Sequence, residues 1–383
     1  MYRKARTYLI VAVVLSVVVC AAEARAQTAG PKIQVAILLD NSGSMSGLIN
    51  QAKAQLWKFI NEFATTKKGG QVPEIQVALY IYGNPPPRLI LPLTNDLDRV
   101  SEKLFAVTIS GGTENCGQVI KAATEDLKWS TDPGDLKVIF IAGNEPFTQG
   151  PVDYREACKA AITKGIVVNT IHCGPYQTGV SSHWKDGAVL AEGAYMCIDQ
   201  NKRVAHISAP QDKRIAELGG ELNKTYIPYG VEGRAGAARQ SVQDSNAAGL
   251  AKEVAVQRAV AKANAQYRNA HWDLVDAVDQ GTAKIEEIKA EDLPENMRKM
   301  SIEERKAHVE AQTRRRAELQ KEINELNGAR KKVVAEEMKK LATDGKDTLD
   351  AAMIKTLRTQ AEKRHFEFGD AEEAPEAETK KGA

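Results

Sequence analysis

Between residues 33 and 230, short runs rich in valine and isoleucine alternate with helix-like segments, and this alternation constrains the fold more than any other feature. The strand candidates read IQVAILLD, IQVALYIYG, KVIFIAG, IVVNTIHCG and GAYMCID. Helical patterns occupy residues 48–63, 96–107, 117–129, 153–164, 186–192 and 212–223. Near-continuous apolar strands separated by helices are typical of a parallel sheet covered on both faces. The pattern predicts an α/β domain over 33–230 with a doubly wound, mostly parallel, Rossmann-like sheet. IQVALYIYG follows a Gly-Gly turn, which allows for one antiparallel edge strand there.

After residue 230 the composition changes to that of an α-helical region. GVEGRAGAARQ is rich in glycine and alanine, and residues 231–245 are interpreted as a linker. Residues 246–368 are rich in Ala, Glu, Lys and Arg, which is helix composition. Arg330 and Glu337 fall on the seam of the longest apolar stripe, so a strict coiled-coil heptad fails. We expect a hairpin or bundle of helices, divided near Pro294 and Gly345, laid against the α/β domain or a partner. Residues 369–383 are expected to be a disordered tail.

The first 26 residues have the pattern of a signal peptide. MYRKAR is basic, YLIVAVVLSVVVCAA is apolar, and Ala-Arg-Ala precedes Gln27 as a cleavage site. Cleavage after Ala26 would give a periplasmic or secreted chain without a stable membrane span. An uncleaved anchor helix and a lipoprotein signal ending at Cys20 are the alternatives. The apolar run is short for a span, and Val19 stands where a small residue is expected before a lipidated cysteine.

Charge and cysteine content narrow the classes of partner and cofactor. The chain has 52 basic and 50 acidic residues, so its net charge favours neither nucleic acid nor an acidic membrane as a partner.

The mature chain has an even number of cysteines, which in an exported protein permits two disulfides. These cysteines are Cys116, Cys158, Cys173 and Cys197. Cys173 and Cys197 lie near the ends of neighbouring predicted strands and are candidates for one bridge, with four buried free thiols as the alternative. Without a Cys-x-x-Cys or a His-x-x-x-His pair, zinc has no support.

The sequence DNSGSM places a carboxylate and two hydroxyls directly after the first predicted strand. Ligands of open α/β sheets bind at the carboxyl ends of strands, where the strand order reverses. Asp40, Ser42 and Ser44 alternate along the loop, so their side chains can converge on one point. Carboxylate and hydroxyl oxygens suit a hard cation such as Mg²⁺ or Mn²⁺. The alternative is that these side chains only cap the turn and the following helix.

Over residues 33–230 the chain resembles the von Willebrand factor A family. DNSGSM resembles the D-x-S-x-S of that family's metal-ion-dependent adhesion site, and LPLTNDLDRVSEKLFAVTISGGTENCG resembles the stretch that leads to its metal-site threonine, here Thr113. The resemblance implies a metal at the top of the sheet, held by four residues: Asp40, Ser42, Ser44 and Thr113.

One position departs from the family pattern. The family usually carries an aspartate after the fourth strand, whereas this chain reads IAGNEPFTQGP, with Gly143 in that place. Asn144 or Glu145 could compensate in part, and Asn144 is favoured, through a water. We expect cation binding to be weaker, and Gly143→Asp to tighten it, because each ligand charge offsets the desolvation of the ion.

Together with the signal-peptide pattern, the resemblance implies an exported, bacterial-type protein-binding module. The metal would keep an open coordination position that an Asp or Glu of a partner protein completes. A structural scaffold with a degenerate, metal-free site is the alternative, and a metal-assisted hydrolase is a weaker one. Hydrolysis is disfavoured because the sequence offers neither a second carboxylate nor a histidine beside Asp40 as general base, and no G-x-S-x-G motif is present. The chain is therefore predicted not to be an enzyme.

Overall fold

The computed structural model describes residues 30–63, 65–199, 207–341 and 349–368, so the predicted signal peptide and tail lie outside the described residues. A six-stranded sheet forms the centre of the α/β domain. Its strands are β1 (Lys32–Leu39), β3 (Glu74–Ile81), β4 (Arg88–Thr94), β5 (Leu136–Gly143), β6 (Val167–Cys173) and β7 (Tyr195–Ile198). They lie in the order β4-β3-β1-β5-β6-β7, and all neighbouring strands are parallel except β3 and β4. A separate antiparallel pair joins β2 (Thr66–Lys67) to β8 (Glu367–Phe368).

The helices occupy both faces of this sheet and most of the second half of the chain. In the α/β domain they are α1 (Ser46–Asn61), α2 (Leu97–Phe105), α3 (Cys116–Asp126), α4 (Tyr154–Thr163), α5 (Tyr176–Ser181), α6 (Trp184–Leu190) and α7 (Asp212–Asn223). The second half contains α8 (Gly233–Leu250), α9 (Lys252–Lys262), α10 (Leu274–Asp279), α11 (Ile302–Leu341) and α12 (Leu349–Glu362).

The predicted doubly wound, mostly parallel sheet is confirmed, and so is the helical region that follows it. Side chains alternate along each strand, so Val35 and Leu39 of β1 pack under α1 while Ala36 and Leu38 pack under α3 and α4. Two apolar layers therefore cover the sheet. Local capping agrees with the predicted helix starts, because Asp96 and Asp153 each accept a hydrogen bond from the first turn of their helix.

The antiparallel edge strand is not the one that the sequence suggested. IQVALYIYG lies inside the sheet as β3, parallel to β1, and the antiparallel edge is β4, which the sequence analysis did not predict. The strand β4 contains Pro92 and follows three consecutive prolines. Proline cannot donate to a ladder and is confined to edge strands, so a strand at this position reads as a loop in the sequence.

The segment 231–245 was interpreted as a linker, and this is wrong, because most of it lies in α8. Its glycines permit close packing. A Cβ on Gly236 would lie 2.2 Å from the ring of Trp272, which is buried. Two hydrogen bonds join α8 to α2 of the α/β domain, from Ser101 Oγ to Gln243 Oε1 (2.8 Å) and from Arg239 Nε to Glu102 Oε2 (3.0 Å). The helical region thus begins on the surface of the α/β domain.

The long helix α11 packs within a bundle. Leu319 and Ile323 of α11 are buried in an apolar cluster with α7 and α9. Arg330 is also buried, and its Nε donates to Asp212 Oδ1 at 2.6 Å. Arg330, which lies on the apolar stripe of α11, thus has an acidic partner in α7. An isolated coiled coil would not offer this contact. None of the helices that the structure describes is long and apolar enough to cross a membrane.

Candidate metal centre

Asp40 lies at the point where the strand order of the sheet reverses. The strand β1 pairs with β3 on one side and with β5 on the other, and Leu39 is level with Ile81 and Ala142. The chain continues in register for one more residue, since the backbone N–H of Asp40 donates to the carbonyl of Ala142 (3.0 Å). Such switch points at the carboxyl ends of strands are where open α/β sheets bind ligands.

The loop after β1 brings its three polar side chains together. The backbone N–H of Ser42 donates to Asp40 Oδ1 at 2.7 Å, which turns the chain back towards the carboxylate. The hydroxyls of Ser42 and Ser44 are 3.2 Å apart, and the Ser44 hydroxyl donates to Asn144 Oδ1 at 3.4 Å. A short 3₁₀ helix, Gly43–Met45, precedes α1. Ser42 at its start and Met45 before α1 make no side-chain capping bond. Capping of the turn therefore explains the position of one oxygen of Asp40. It does not explain the positions of the Ser42 and Ser44 hydroxyls.

The loop that carries Thr113 is bound to the same edge of the sheet. The backbone N–H of Ser110 donates to the carbonyl of Asn41 (2.7 Å), and the N–H of Thr113 donates to the carbonyl of Gly83 (3.3 Å). Gly111 has a φ of +101°, and a Cβ there would lie 1.9 Å from the carbonyl oxygen of Gly83, so only glycine allows this approach. The backbone of Thr113 is thus held beside the carboxyl ends of β1 and β3, with its side chain exposed.

The expectation of a single carboxylate is wrong, because the structure adds Glu114 to the site. Glu114 is 2% exposed, and its pKa is raised to about 7, first by burial and then by the negative charge of Asp40. Burial also raises the pKa of Asp40 to about 6, against the opposing effect of hydrogen bonds from Ser42. The sequence analysis overlooked Glu114 because an acidic residue next to Thr113 has no spacing signal of its own. Its burial follows from tertiary packing.

The oxygen atoms present fit a hard divalent cation. Asp40 Oδ2 and Glu114 Oε2 are buried and have no hydrogen-bond partner among the described residues. A buried carboxylate without a partner is costly unless a cation compensates it. The hydroxyls of Ser42 and Ser44, 3.2 Å apart, belong to the same loop as Asp40. The described part of the chain contains no group of three or more His, Cys, Asp or Glu side chains that could hold a metal ion. A cation at this point would therefore depend on hydroxyl oxygens together with carboxylates.

The surroundings of Gly143 disfavour the expected effect of Gly143→Asp. This residue ends β5 and is buried, opposite His172 of β6. A Cβ on Gly143 would lie 2.5 Å from the hydroxyl oxygen of Tyr82 and 3.2 Å from both the Asp40 Cβ and the Trp184 ring. The Tyr82 hydroxyl is itself fixed by donating to the carbonyl of Ala142 at 2.7 Å. A side chain at position 143 would therefore require Tyr82 to shift and to give up this hydrogen bond.

The predicted Cys173–Cys197 bridge is incompatible with the strand register. Cys173 of β6 is opposite Ile198 of β7, and Cys197 is opposite His172. Because neighbouring residues of a strand point to opposite faces, the two cysteine side chains lie on different faces of the sheet. Cys173 is a buried free thiol, and so are Cys116 and Cys158. The alternative of buried free thiols therefore holds for these three.

Topology and site geometry define the class of the α/β domain, and a family model agrees with them. The model of the von Willebrand factor type A domain matches residues 35–144, from β1 to the residue that follows β5. The domain has the von Willebrand factor A fold, a type that often serves in protein interaction.

Comparison with individual proteins gives only distant likenesses. No curated protein matches the chain. Among solved structures, the conserved hypothetical protein BatB from Bacteroides thetaiotaomicron is 19% identical, with a TM-score of 0.35 over 44% of this chain and 90% of that chain. Proximal thread matrix protein 1 from the mussel byssus, with a zinc-occupied MIDAS motif, is 15% identical, with a TM-score of 0.35 over 45% and 43%. The SpRpn10 VWA domain is 16% identical, with a TM-score of 0.34 over 46% and 100%. TM-scores this low carry no argument about the function of this chain.

Proposed function

We propose that the α/β domain is a protein-binding module that captures an acidic side chain of a partner protein through a divalent cation at Asp40. The observation that carries the proposal is the buried oxygen Oδ2 of Asp40 at the switch point of the sheet, which has no hydrogen-bond partner among the described residues. The same loop carries the Ser42 and Ser44 hydroxyls, Ser44 contacts Asn144, and the N–H of Thr113 donates to the carbonyl of Gly83 at the same edge of the sheet. Mg²⁺ or Mn²⁺ is the proposed ion, because all the available ligands are oxygens.

In this proposal each residue of the loop has a defined role. Asp40 supplies charge, and its orientation is fixed by the backbone N–H of Ser42. Ser42 and Ser44 supply hydroxyl oxygens, Ser44 being held towards Asn144. Exposed Thr113 marks the open side, from which a carboxylate of the partner would approach. A bound cation would supply an electrostatic attraction for that carboxylate, and binding to the partner would be cation-dependent.

Binding fits the site better than hydrolysis. A two-metal hydrolase uses clustered carboxylate and histidine ligands, and such a group of three is not found among the residues that the structure describes. The carboxylates of Asp40 and Glu114 are buried rather than presented to a substrate.

We also propose that the signal peptide over residues 1–26 directs the chain to the periplasm or the exterior. The helical region after residue 246 would position the binding domain.

A peptide selection tests this function without knowledge of the natural partner. Random peptides displayed on phage would be bound to the immobilised chain in Mg²⁺ and eluted with EDTA. We expect the EDTA eluate to be enriched in peptides with an Asp or Glu, and the enrichment to be lost with Asp40→Ala. Glu156→Ala, a change at an exposed carboxylate of α4, is the control that should keep it. Equal selection by the wild type and Asp40→Ala would contradict the proposal and favour a scaffold with a degenerate site.

A further inference from the structure

Among the residues that the structure describes, the two buried carboxylates at the top of the sheet form no ion pair. Asp40 is 0% exposed and Glu114 is 2% exposed, and one oxygen of each has no hydrogen-bond partner within that part of the chain. The charged groups that raise the pKa of these carboxylates are acidic: Glu145 for Asp40, and Asp40 and Glu145 for Glu114. Two buried negative charges without a compensating cation are strongly unfavourable, so this arrangement needs an ion or protons.

The loop that leads to Glu114 lies against the loop that carries Asp40 and Ser42. The N–H of Ser110 donates to the carbonyl of Asn41 at 2.7 Å, and a Cβ on Gly83 would lie 2.7 Å from both the Ser110 carbonyl oxygen and the Ser42 nitrogen. The buried carboxylates of Asp40 and Glu114 thus belong to two loops in contact, beside the Ser42 and Ser44 hydroxyls, which are 3.2 Å apart. Two carboxylates and two hydroxyls form an oxygen set that a hard divalent ion accepts.

The backbone fixes Glu114 in this position before any ligand arrives. The N–H of Glu114 donates to Gln149 Oε1 at 2.9 Å, and the N–H groups of Gly112 and Thr113 both donate to the carbonyl of Gly83. Directly after it, Asn115 precedes the first turn of α3. The loop that contains Glu114 is thus held between the residues that follow β3 and the segment that follows β5. This position buries the Glu114 side chain.

In this chain Gly143 stands at the end of β5, where the family usually carries an aspartate. A Cβ there would lie 2.5 Å from the Tyr82 hydroxyl, so a side chain would fit only if Tyr82 shifted. Glu114 approaches Asp40 through the loop of Thr113 instead. The loss of an acidic residue on β5 and the presence of a buried one beside Thr113 are therefore complementary features of one site.

We propose that Glu114 is a ligand of the same divalent cation as Asp40 and supplies the second carboxylate of the metal centre. The assignment rests on the proposed cation site. Two carboxylates neutralise the charge of Mg²⁺ or Mn²⁺, so the ion would be retained in the absence of a partner.

Calorimetric titration of Mg²⁺ and Mn²⁺ into the full chain tests this assignment. The isosteric variant Glu114→Gln should weaken cation binding at least about tenfold, since it removes a ligand charge. Glu145→Gln is the matched control, because it removes a charge from the same neighbourhood without removing a proposed ligand, and it should weaken binding much less. Equal losses in the two variants would mean that Glu114 acts only through its field, and the assignment would be wrong.

Thermal unfolding of the same variants gives a readout that does not depend on the titration. In EDTA at alkaline pH, Glu114→Gln should unfold at a higher temperature than the wild type, because it removes a buried charge. Added Mg²⁺ should then raise its Tm less than that of the wild type. A destabilised Glu114→Gln with an unchanged response to Mg²⁺ would assign Glu114 a structural role. Glu114→Asp, which keeps the charge on a shorter side chain, should regain part of the Mg²⁺ response.

The outcomes separate this assignment from the proposed function. Cation binding that is lost in Asp40→Asn and intact in Glu114→Gln would overturn the role of Glu114 and leave the adhesion-type site standing. If the wild-type chain binds neither ion, the cation-dependent function fails and the Glu114 assignment fails with it.

Discussion

Arg258 of α9 and Asp98 of α2 form an ion pair that is buried between the helical region and the α/β domain. Arg258 Nη1 lies 2.6 Å from Asp98 Oδ1, and both side chains are 2% exposed. The guanidinium also lies over the ring of Trp57 in α1, 4.3 Å from its centroid. Asp244 of α8 accepts from Arg258 Nε at 2.8 Å. One side chain therefore links three helices across the junction of the two regions.

Removal of this guanidinium should strongly destabilise the protein. Arg258→Met keeps an apolar stem but leaves Asp98 buried without its partner, so we expect a loss of about 3–5 kcal/mol in the free energy of unfolding. Chemical denaturation measures it. Arg314→Met breaks an exposed pair with Glu310 on α11 and should cost less than about 1 kcal/mol. Similar costs for the two variants would mean that the buried pair does not hold the junction together.

The stability of the metal-free protein should fall as the pH rises. Burial raises the folded-state pKa of Asp40 to about 6 and of Glu114 to about 7, above their ordinary values of 3.8 and 4.5. Protonation of both carboxyl groups is thus favoured in the folded state. The stability that this protonation contributes is fully present when the pH is below the ordinary pKa values. It is lost as the pH rises through the folded-state pKa values.

Thermal unfolding in EDTA between about pH 5 and pH 8 measures this effect. The Tm of the wild type should decrease relative to that of the double variant Asp40→Asn, Glu114→Gln, and Mg²⁺ at pH 8 should restore it. Parallel pH profiles for the two proteins would refute the prediction.

An acidic residue at position 143 should destabilise the domain without improving the metal site. Gly143→Asp places a Cβ against the Tyr82 hydroxyl, and overpacking of this kind costs about 1–3 kcal/mol. We expect a lower Tm and no tighter Mg²⁺ binding by calorimetry. Gly143→Ala should lose a similar amount of stability, and Tyr82→Phe should recover part of that loss, because the clash involves the hydroxyl. Tighter Mg²⁺ binding by Gly143→Asp would show that the loop rearranges to accept the carboxylate.

Three cysteines should be unreactive in the native protein. Burial raises the pKa of Cys158 to about 12, and it raises the pKa values of Cys116 and Cys173 as well, so little thiolate is present at neutral pH. Iodoacetamide should label these three only after denaturation, as measured by peptide mass spectrometry. A non-reducing peptide map should show no link between Cys173 and Cys197. Detection of that link would mean that β6 and β7 pair in a different register.

The sequence by itself determined the α/β class, the mostly parallel character of the doubly wound sheet and the position of Asp40. These properties are local or periodic: apolar runs form strands, amphipathic segments form helices, and D-x-S-x-S directly follows a strand. The boundaries of α7 agree with the predicted 212–223 because a polar start and a regular apolar stripe specify them. Residues 231–245 were misread because glycine suggests a loop, whereas here it permits the contact between α8 and Trp272.

Tertiary structure alone decided which acidic groups meet. Nothing in the spacing of Glu114 distinguishes it from an exposed carboxylate. Its burial beside Asp40 arises because the loop before α3 is hydrogen-bonded to residues after β1 and β3. The surroundings of Gly143 also depend on tertiary structure, because the side chain that lies against it is Tyr82, which follows β3. Charges and clashes between residues distant in sequence depend on the packing of loops, which a periodic pattern does not encode.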